Sequence, residues 1–177
     1  MAWRSSASTH AALCENLAAA KVISRGAALN ALLAVDRAAF FPLGLEPSIV
    51  YQDAPYPIGH GATISAPHMH AACVEALKHK LTPGARVLDV GSGTGILCAV
   101  FGCLVGPTGR VVGVEHVEPL VRASRASLAA VGALTCVEVV CGDGRLGWPA
   151  GAPYDAIHVG AAAASLPREL VEQLAPG

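Results

Sequence analysis

The fold is decided by the stretch Arg86-Val87-Leu88-Asp89-Val90-Gly91-Ser92-Gly93-Thr94-Gly95. Its apolar first half predicts a strand, and three glycines at alternate positions predict a tight turn directly after it. Residues 96–105 then carry apolar side chains at helical spacing. Strand, glycine turn and helix in this order are typical of an open α/β sheet, which binds ligands at the carboxyl ends of its strands.

The glycine spacing indicates the kind of ligand. The pattern is G-x-G-x-G, whereas dinucleotide folds have G-x-G-x-x-G and a Walker loop needs Gly-Lys-Ser/Thr. No lysine lies near the turn, and the carboxylate of Asp89 precedes it. Such a loop favours a cationic ligand over a phosphate, and S-adenosylmethionine, with its sulfonium and ammonium groups, fits that polarity. The alternative is a glycine-rich turn that serves packing alone.

The composition is that of one globular domain. Of 177 residues, 53% are hydrophobic and 14% are charged. A net charge of −1 without a basic run argues against nucleic acid or an anionic membrane as a partner. No stretch reaches the ~20 apolar residues that span a bilayer, and residues 1–6 have no signal-peptide core. We therefore expect a cytoplasmic protein.

The six cysteines lack any C-x-x-C spacing. Both close pairs are separated by four residues, which does not bring thiols together at a metal or in a disulfide. Buried free thiols, and no metal, are expected.

The first 61 residues predict helices followed by a cap over the site. Residues 8–20 and 27–40 have helical spacing, whereas 41–61 contain four prolines and no periodicity. A loop of that length is often a lid or a substrate wall.

The segment 62–70, Ala-Thr-Ile-Ser-Ala-Pro-His-Met-His, predicts a carboxylate site. Ser65 can cap a helix that begins around Pro67 and runs to about Lys80. The free N–H groups of such a helix start, helped by the Thr63 and Ser65 hydroxyls, suit an anion. In the alternative interpretation Ser65 is an ordinary cap and His70 a surface or core residue.

Acidic residues end the next two predicted strands. Glu115 follows Gly95 by about 20 positions, where an acid can accept both ribose hydroxyls of an adenosine. Asp143, with Gly142 beside it, can accept from an adenine amino group. The alternatives are a solvated acid at Glu115 and a simple Asp-Gly turn. The later elements are predicted at strand 110–115, helix 117–131, strand 135–140, strand 155–159 and helix 167–174.

This order implies a mostly parallel sheet with right-handed crossovers. The apolar strand at 156–159 would then lie at an exposed edge, which is a liability. Pro176-Gly177 stands where a helix would lead to a further strand. We therefore expect a chain that is truncated, or one that needs a partner to cover that edge.

Four stretches together closely resemble the protein-L-isoaspartate O-methyltransferase family: 62–70, 88–95, 142–145 and 153–162. The start Met1-Ala2-Trp3 looks like the animal form. The resemblance implies a class I S-adenosylmethionine-dependent methyltransferase fold, α/β and Rossmann-like, in a single domain. Residues 1–61 would cap the site, and 62–177 would form a cofactor-binding core that lacks the family's last strands. Glu115 departs from the aspartate that is common in the family.

The resemblance also implies an activity, namely methyl transfer from S-adenosylmethionine to the free α-carboxylate of L-isoaspartyl residues in damaged proteins. The ester then collapses to a succinimide, whose hydrolysis returns some normal aspartate. A monomer acting on damaged proteins and peptides is implied. Two alternatives stay open: a methyltransferase for another acceptor, such as a small molecule or RNA base, and a non-catalytic cofactor-binding fragment.

By motif, Ser65 is the expected catalytic serine, and Ala62, Thr63 and Ser65 are expected to bind the substrate. The residues expected at the cofactor are Thr63, Ile64, Ser65, His70, Asp89, Gly91, Ser92, Gly93, Gly95, Glu115, His116, Gly142 and Asp143.

Overall fold

A parallel sheet with helices on both faces organises the chain. The computed structural model describes residues 5–42, 45–132 and 135–176, so Met1-Ala2-Trp3 and Gly177 lie outside the described residues. The helices are α1 (His10–Ala19), α2 (Ala27–Ala34), α3 (Pro47–Val50), α4 (Pro67–Leu77), α5 (Ile96–Val105), α6 (Glu118–Ala130) and α7 (Arg168–Glu172). The strands are β1 (Tyr56–Gly59), β2 (Ala62–Ile64), β3 (Arg86–Val90), β4 (Arg110–Glu115), β5 (Val137–Cys141) and β6 (Ala156–Val159).

The main sheet has the order β5-β4-β3-β6, and all its pairs are parallel. The glycine-turn strand β3 is therefore central, and β6 pairs with it at one edge. The apolar runs of β3 and β4 are buried on both faces, as parallel strands require. The predicted α/β fold with a mostly parallel sheet is confirmed.

Alternate residues of the strands fill two cores. Val87 and Val111 face a large core with α1, α2 and α5. Leu88 and Val112 face a smaller core completed by Tyr154. Because side chains alternate across a strand, the β3 register fixes which residues reach the ligand edge on each side.

The N-terminal region is more ordered than the sequence indicated. The helix predicted over 27–40 ends at Ala34, because Asp36 caps a separate 3-10 helix, Arg37–Phe40, by accepting from Ala38 N–H at 2.9 Å. The loop predicted over 41–61 contains α3 and β1, and β1 forms an antiparallel hairpin with β2. Its Leu43 and Gly44 lie outside the described residues.

The predicted capping role of Ser65 is wrong. The N-cap of α4 is Ala66, whose side chain makes no capping bond. Instead Asp53 Oδ1 accepts from the His68 backbone N–H at 2.9 Å, and His68 Nδ1 lies 2.8 Å from the same oxygen. A carboxylate remote in sequence therefore satisfies the helix start, and the Ser65 hydroxyl is not needed as its cap.

Other boundaries differ by a few residues. The helix predicted to about Lys80 ends at Leu77, and the strand predicted over 135–140 spans Val137–Cys141. Within the described ranges, no helix combines the length and apolar character needed to cross a membrane.

Candidate functional site

The turn after β3 is closed by the neighbouring strand. Gly91, Gly93 and Gly95 have φ of 76°, 54° and 84°, a region that favours glycine. The N–H groups of Gly91 and Ser92 both donate to Val114 O, at 2.8 and 3.2 Å. The loop is thus fixed at the carboxyl edge of the sheet before any ligand arrives.

Two cavities meet over this loop, sharing Gly91, Val159 and Ala161. One measures about 280 Å³ and the other about 570 Å³. Predicted residues in the smaller cavity are Thr63, Ile64, Ser65, His70, Asp89, Gly91, Ser92 and Gly93. Predicted residues in the larger cavity are Gly91, His116, Gly142 and Asp143.

The remaining predicted residues, Ala62, Gly95 and Glu115, line neither of these cavities. Ala62 pairs with Gly59 in the hairpin. Gly95 is the N-cap of α5, and a Cβ there would lie 3.2 Å from the Ser124 Cβ of α6. Its lack of a side chain therefore allows close helix packing.

Glu115 ties the glycine loop to the end of β4. Its carboxylate is 5% exposed and accepts from Gly93 N–H and Val117 N–H, each at 3.0 Å. His116 Nδ1 lies 3.1 Å from the same carboxylate. A ribose would have to share oxygens that already hold the loop.

Asp143 is also engaged. Arg145 donates to both of its carboxylate oxygens, to Oδ1 at 3.0 Å and to Oδ2 at 2.7 Å. These hydrogen bonds lower the pKa of Asp143 to about 2, so the group at the larger cavity is an ionised acceptor.

A buried ion pair forms the floor of the smaller cavity. Asp89 is 2% exposed, and its Oδ1 lies 2.7 Å from His158 Nδ1. The Cys98 thiol donates to its other oxygen at 3.2 Å. Burial alone would lower the pKa of His158, but hydrogen bonds with Asp89 and Cys73 raise it to about 10. The imidazole is therefore protonated at neutral pH.

No role for His158 came from the sequence patterns. The signal was available: a histidine inside a short apolar strand, whose parallel partner in register is Asp89. Only the strand pairing, which is a long-range property, brings the two together.

A second missed residue is Arg37, which is 2% exposed. Its guanidinium donates to Ser65 O at 2.8 Å and to Val50 O at 3.2 Å, and Nη1 lies 3.4 Å from His70 Nδ1. It also stacks 4.8 Å from the centre of the Phe41 ring. An arginine beside apolar Val35 and Phe40 in the predicted helix was the only local hint.

Burial and the charge of Arg37 lower the pKa of His70 to about 3, with His158 and His68 acting in the same direction. Burial lowers the pKa of Arg37 to about 10, against the opposing effect of Asp53. At neutral pH His70 is therefore neutral and Arg37 is charged.

The donor set fits a sulfonium nucleoside. Ser92 Oγ and Thr94 Oγ1 are buried at the smaller cavity and, within the described residues, have no hydrogen-bond partner. Unpaired buried hydroxyls of this kind are suited to a polar ligand. Across residues 5–42, 45–132 and 135–176, no three His, Cys, Asp or Glu side chains converge as a metal site would need.

A family model described as Protein-L-isoaspartate(D-aspartate) O-methyltransferase (PCMT) matches residues 8–177. The chain belongs to this family. A wheat protein-L-isoaspartate O-methyltransferase is 52% identical over 171 residues, which are 94% of this chain and 73% of the relative. The Caenorhabditis elegans relative is 44% identical, covering 100% of this chain and 78% of its own length.

The family's solved structures share the fold. A Plasmodium falciparum protein-L-isoaspartate O-methyltransferase, crystallised in complex with S-adenosyl-L-homocysteine, has a TM-score of 0.85 and 34% identity. The match covers 94% of this chain and 80% of that one. The α/β methyltransferase fold that the family resemblance implied is thus confirmed.

Proposed function

We propose that this chain transfers a methyl group from S-adenosylmethionine to the free α-carboxylate of L-isoaspartyl residues in damaged proteins. The observation that carries this is the meeting of Ser65 and the glycine loop in one cavity. It is supported by the family match over residues 8–177 and by the 52% identical wheat relative of that name.

S-adenosylmethionine supplies an electrophilic methyl group on a sulfonium. In this proposal the methionine part lies in the smaller cavity, against the glycine loop and the Ser92 hydroxyl. The adenosine extends past Gly91 into the larger cavity, towards Gly142 and Asp143. The loop that Glu115 holds in place provides the ribose position.

Transfer of the methyl group to the acceptor requires few catalytic groups. A substrate carboxylate has a reference pKa near 4 and is already ionised at neutral pH, so no general base is required. What remains is alignment of its oxygen with the methyl group, which can contribute roughly 7–11 kcal/mol. Ser65 orients the carboxylate through a hydrogen bond to a charged group, contributing about 1.5–3 kcal/mol.

The test is transfer of radiolabelled methyl groups to an isoaspartyl peptide, its aspartyl twin and bulk RNA. We expect label only in the isoaspartyl peptide. We expect Ser65→Ala to lower kcat/KM by about one to two decades. The matched control is Ser48→Ala, because Ser48 is an exposed serine of α3 that lines neither cavity, and it should change nothing. Equal labelling of the aspartyl twin, or of RNA, would refute the proposed acceptor, and unchanged turnover in Ser65→Ala would remove Ser65 from the mechanism.

The proposal includes a monomeric enzyme of the cytoplasm whose partners are its protein and peptide substrates. Sedimentation of the purified chain at the assay concentration tests the first of these points. A mass of twice 17.9 kDa in the active fraction would contradict it.

A further inference from the structure

Arg37 contacts two residues that line the smaller cavity. It lines none of that cavity itself, whereas Ser65 and His70 both do. One guanidinium nitrogen donates to the Ser65 carbonyl, and another lies against His70 Nδ1. The third contact, from Nε to Val50 O, fixes the side chain to the end of α3.

All three of these acceptors are uncharged. Buried arginines are usually paired with carboxylates, because an uncompensated buried charge is costly. Here Asp53 acts on Arg37 only through its charge. Its donors satisfy the Val50 and Ser65 carbonyls, which an apolar side chain would leave without a partner. A buried cation is therefore best explained by what it does to the Ser65 peptide and to His70.

The contact with His70 decides where that ring carries its proton. A guanidinium has only donors, so Nδ1 must accept. A neutral imidazole whose Nδ1 accepts carries its hydrogen on Nε2, on the side of the ring away from Arg37. The lowered pKa of His70 is consistent with a ring that stays neutral.

We propose that Arg37 is a positioning residue that fixes the Ser65 peptide and holds His70 as the neutral Nε2–H tautomer, a donor for a carboxylate in the smaller cavity. A neutral donor suits this place, because an imidazolium at His70 would lack the carboxylate partner that His158 has in Asp89 and would repel the sulfonium proposed for the same cavity. The carboxylate is that of the substrate or that of the cofactor's methionine. In both cases the inference rests on the proposed function.

The first test is the tautomer of His70, read from the ¹⁵N shifts of its two ring nitrogens. Wild type should show a protonated Nε2 and an unprotonated Nδ1. Arg37→Met removes the donors and keeps an unbranched stem, and it should abolish this preference. Arg37→Lys, which retains a donor, should restore it in part and keeps the test open if the methionine variant does not fold. A protonated Nδ1 in wild type would overturn the proposal.

The second test measures kcat and KM for the isoaspartyl peptide in an arginine variant and in a matched control. We expect Arg37→Lys to lower kcat/KM for the isoaspartyl peptide about tenfold. The matched control is Arg125→Lys, because Arg125 likewise donates from two nitrogens to a backbone carbonyl, that of Val139, but lines neither of the two cavities at the glycine loop. An equal loss in both variants would mean that Arg37 serves stability alone.

Binding of S-adenosylhomocysteine identifies the carboxylate. Reduced affinity in Arg37→Lys assigns the donor to the methionine carboxylate, whereas unchanged affinity with reduced kcat/KM assigns it to the substrate. If wild type methylates no isoaspartyl peptide, the proposed function fails, while the ring tautomer and the binding measurement still judge the role of Arg37.

Discussion

Replacing Asp89 by asparagine is expected to lower the free energy of unfolding by roughly 3–5 kcal/mol, because it removes one partner of a buried ion pair. The carboxylate is 2% exposed, and its partner His158 has a side chain that is 13% exposed. The asparagine side chain has the same shape and can still accept from the imidazole. What is lost is the charge that compensates the buried imidazolium.

The pKa of His158 gives the same magnitude by a second route. Its rise from 6.5 to about 10 corresponds to roughly 4 kcal/mol of stability at pH 7. The folded state binds the proton more tightly than the unfolded state does. This stability is therefore fully present below pH 6.5 and is lost as the pH rises through about 10.

Urea unfolding of wild type and Asp89→Asn between pH 6 and 11 measures both effects. The difference in the free energy of unfolding between the two proteins should be largest near pH 6 and should become smaller towards pH 10. The melting temperature should fall by roughly 6–20 °C at neutral pH, given about 2–4 °C per kcal/mol for a chain of this size. Asp155→Asn is the control, because it is the same substitution at an exposed carboxylate just before β6, where the amide oxygen can still accept from the Arg86 N–H.

Two results would refute the reasoning. One is a wild-type His158 that titrates near 6.5 by NMR, since the pair would then not hold its proton. The other is a difference in the free energy of unfolding between the two proteins that does not change with pH. The stability lost in Asp89→Asn would then come from packing and not from the charge.

Three further predictions concern the loop, the cavity and the sheet. Glu115→Gln should weaken S-adenosylhomocysteine binding by about tenfold in calorimetry, because the amide has one acceptor oxygen instead of two for the loop and next-helix N–H groups; the exposed Glu138→Gln should bind like wild type. Cys73 lines the smaller cavity, so S-adenosylhomocysteine should slow its modification by iodoacetamide, as measured by mass spectrometry. The control is Cys103, which is exposed on α5 and should react at the same rate with and without the ligand. An unchanged rate at Cys73 would place the ligand outside this cavity. Gly113→Ala would place a Cβ in β4 only 2.7 Å from the Cys98 thiol of α5. We expect the free energy of unfolding in urea to fall by about 1–3 kcal/mol. An unchanged free energy of unfolding would show that Cys98 moves aside without cost.

Local patterns predicted the centre of this molecule well. The strand, turn and helix around Asp89 need only a short apolar run, glycines that tolerate positive φ and apolar residues at helical spacing, and all three are visible in a short stretch of sequence. The mostly parallel character of the sheet followed from the succession of strands and helices, since parallel crossovers leave few topologies. The order of its strands, β5-β4-β3-β6, was not predicted. Most of the residues assigned through motifs do line one of the two cavities, and their contacts with ligands stay a prediction.

The parts that were missed depend on distant residues. Asp53 caps α4 from a separate loop, so a window around Ser65 suggested the wrong cap. Arg37 acts on Ser65 across 28 positions, and His158 meets Asp89 across 69. No periodicity encodes such pairs. Burial gives these pairs their effect: the contact with Arg37 sets the proposed tautomer of His70, and the contact with Asp89 keeps His158 protonated.

The hairpin of β1 and β2 has an evolutionary consequence. It is a separate small sheet that carries Thr63 and leads into Ser65, while the loop after β3 belongs to the main sheet. In the proposed function, mutations that remodel the hairpin would change the acceptor side of the cavity and leave the strands of the main sheet, with the glycine loop, unchanged.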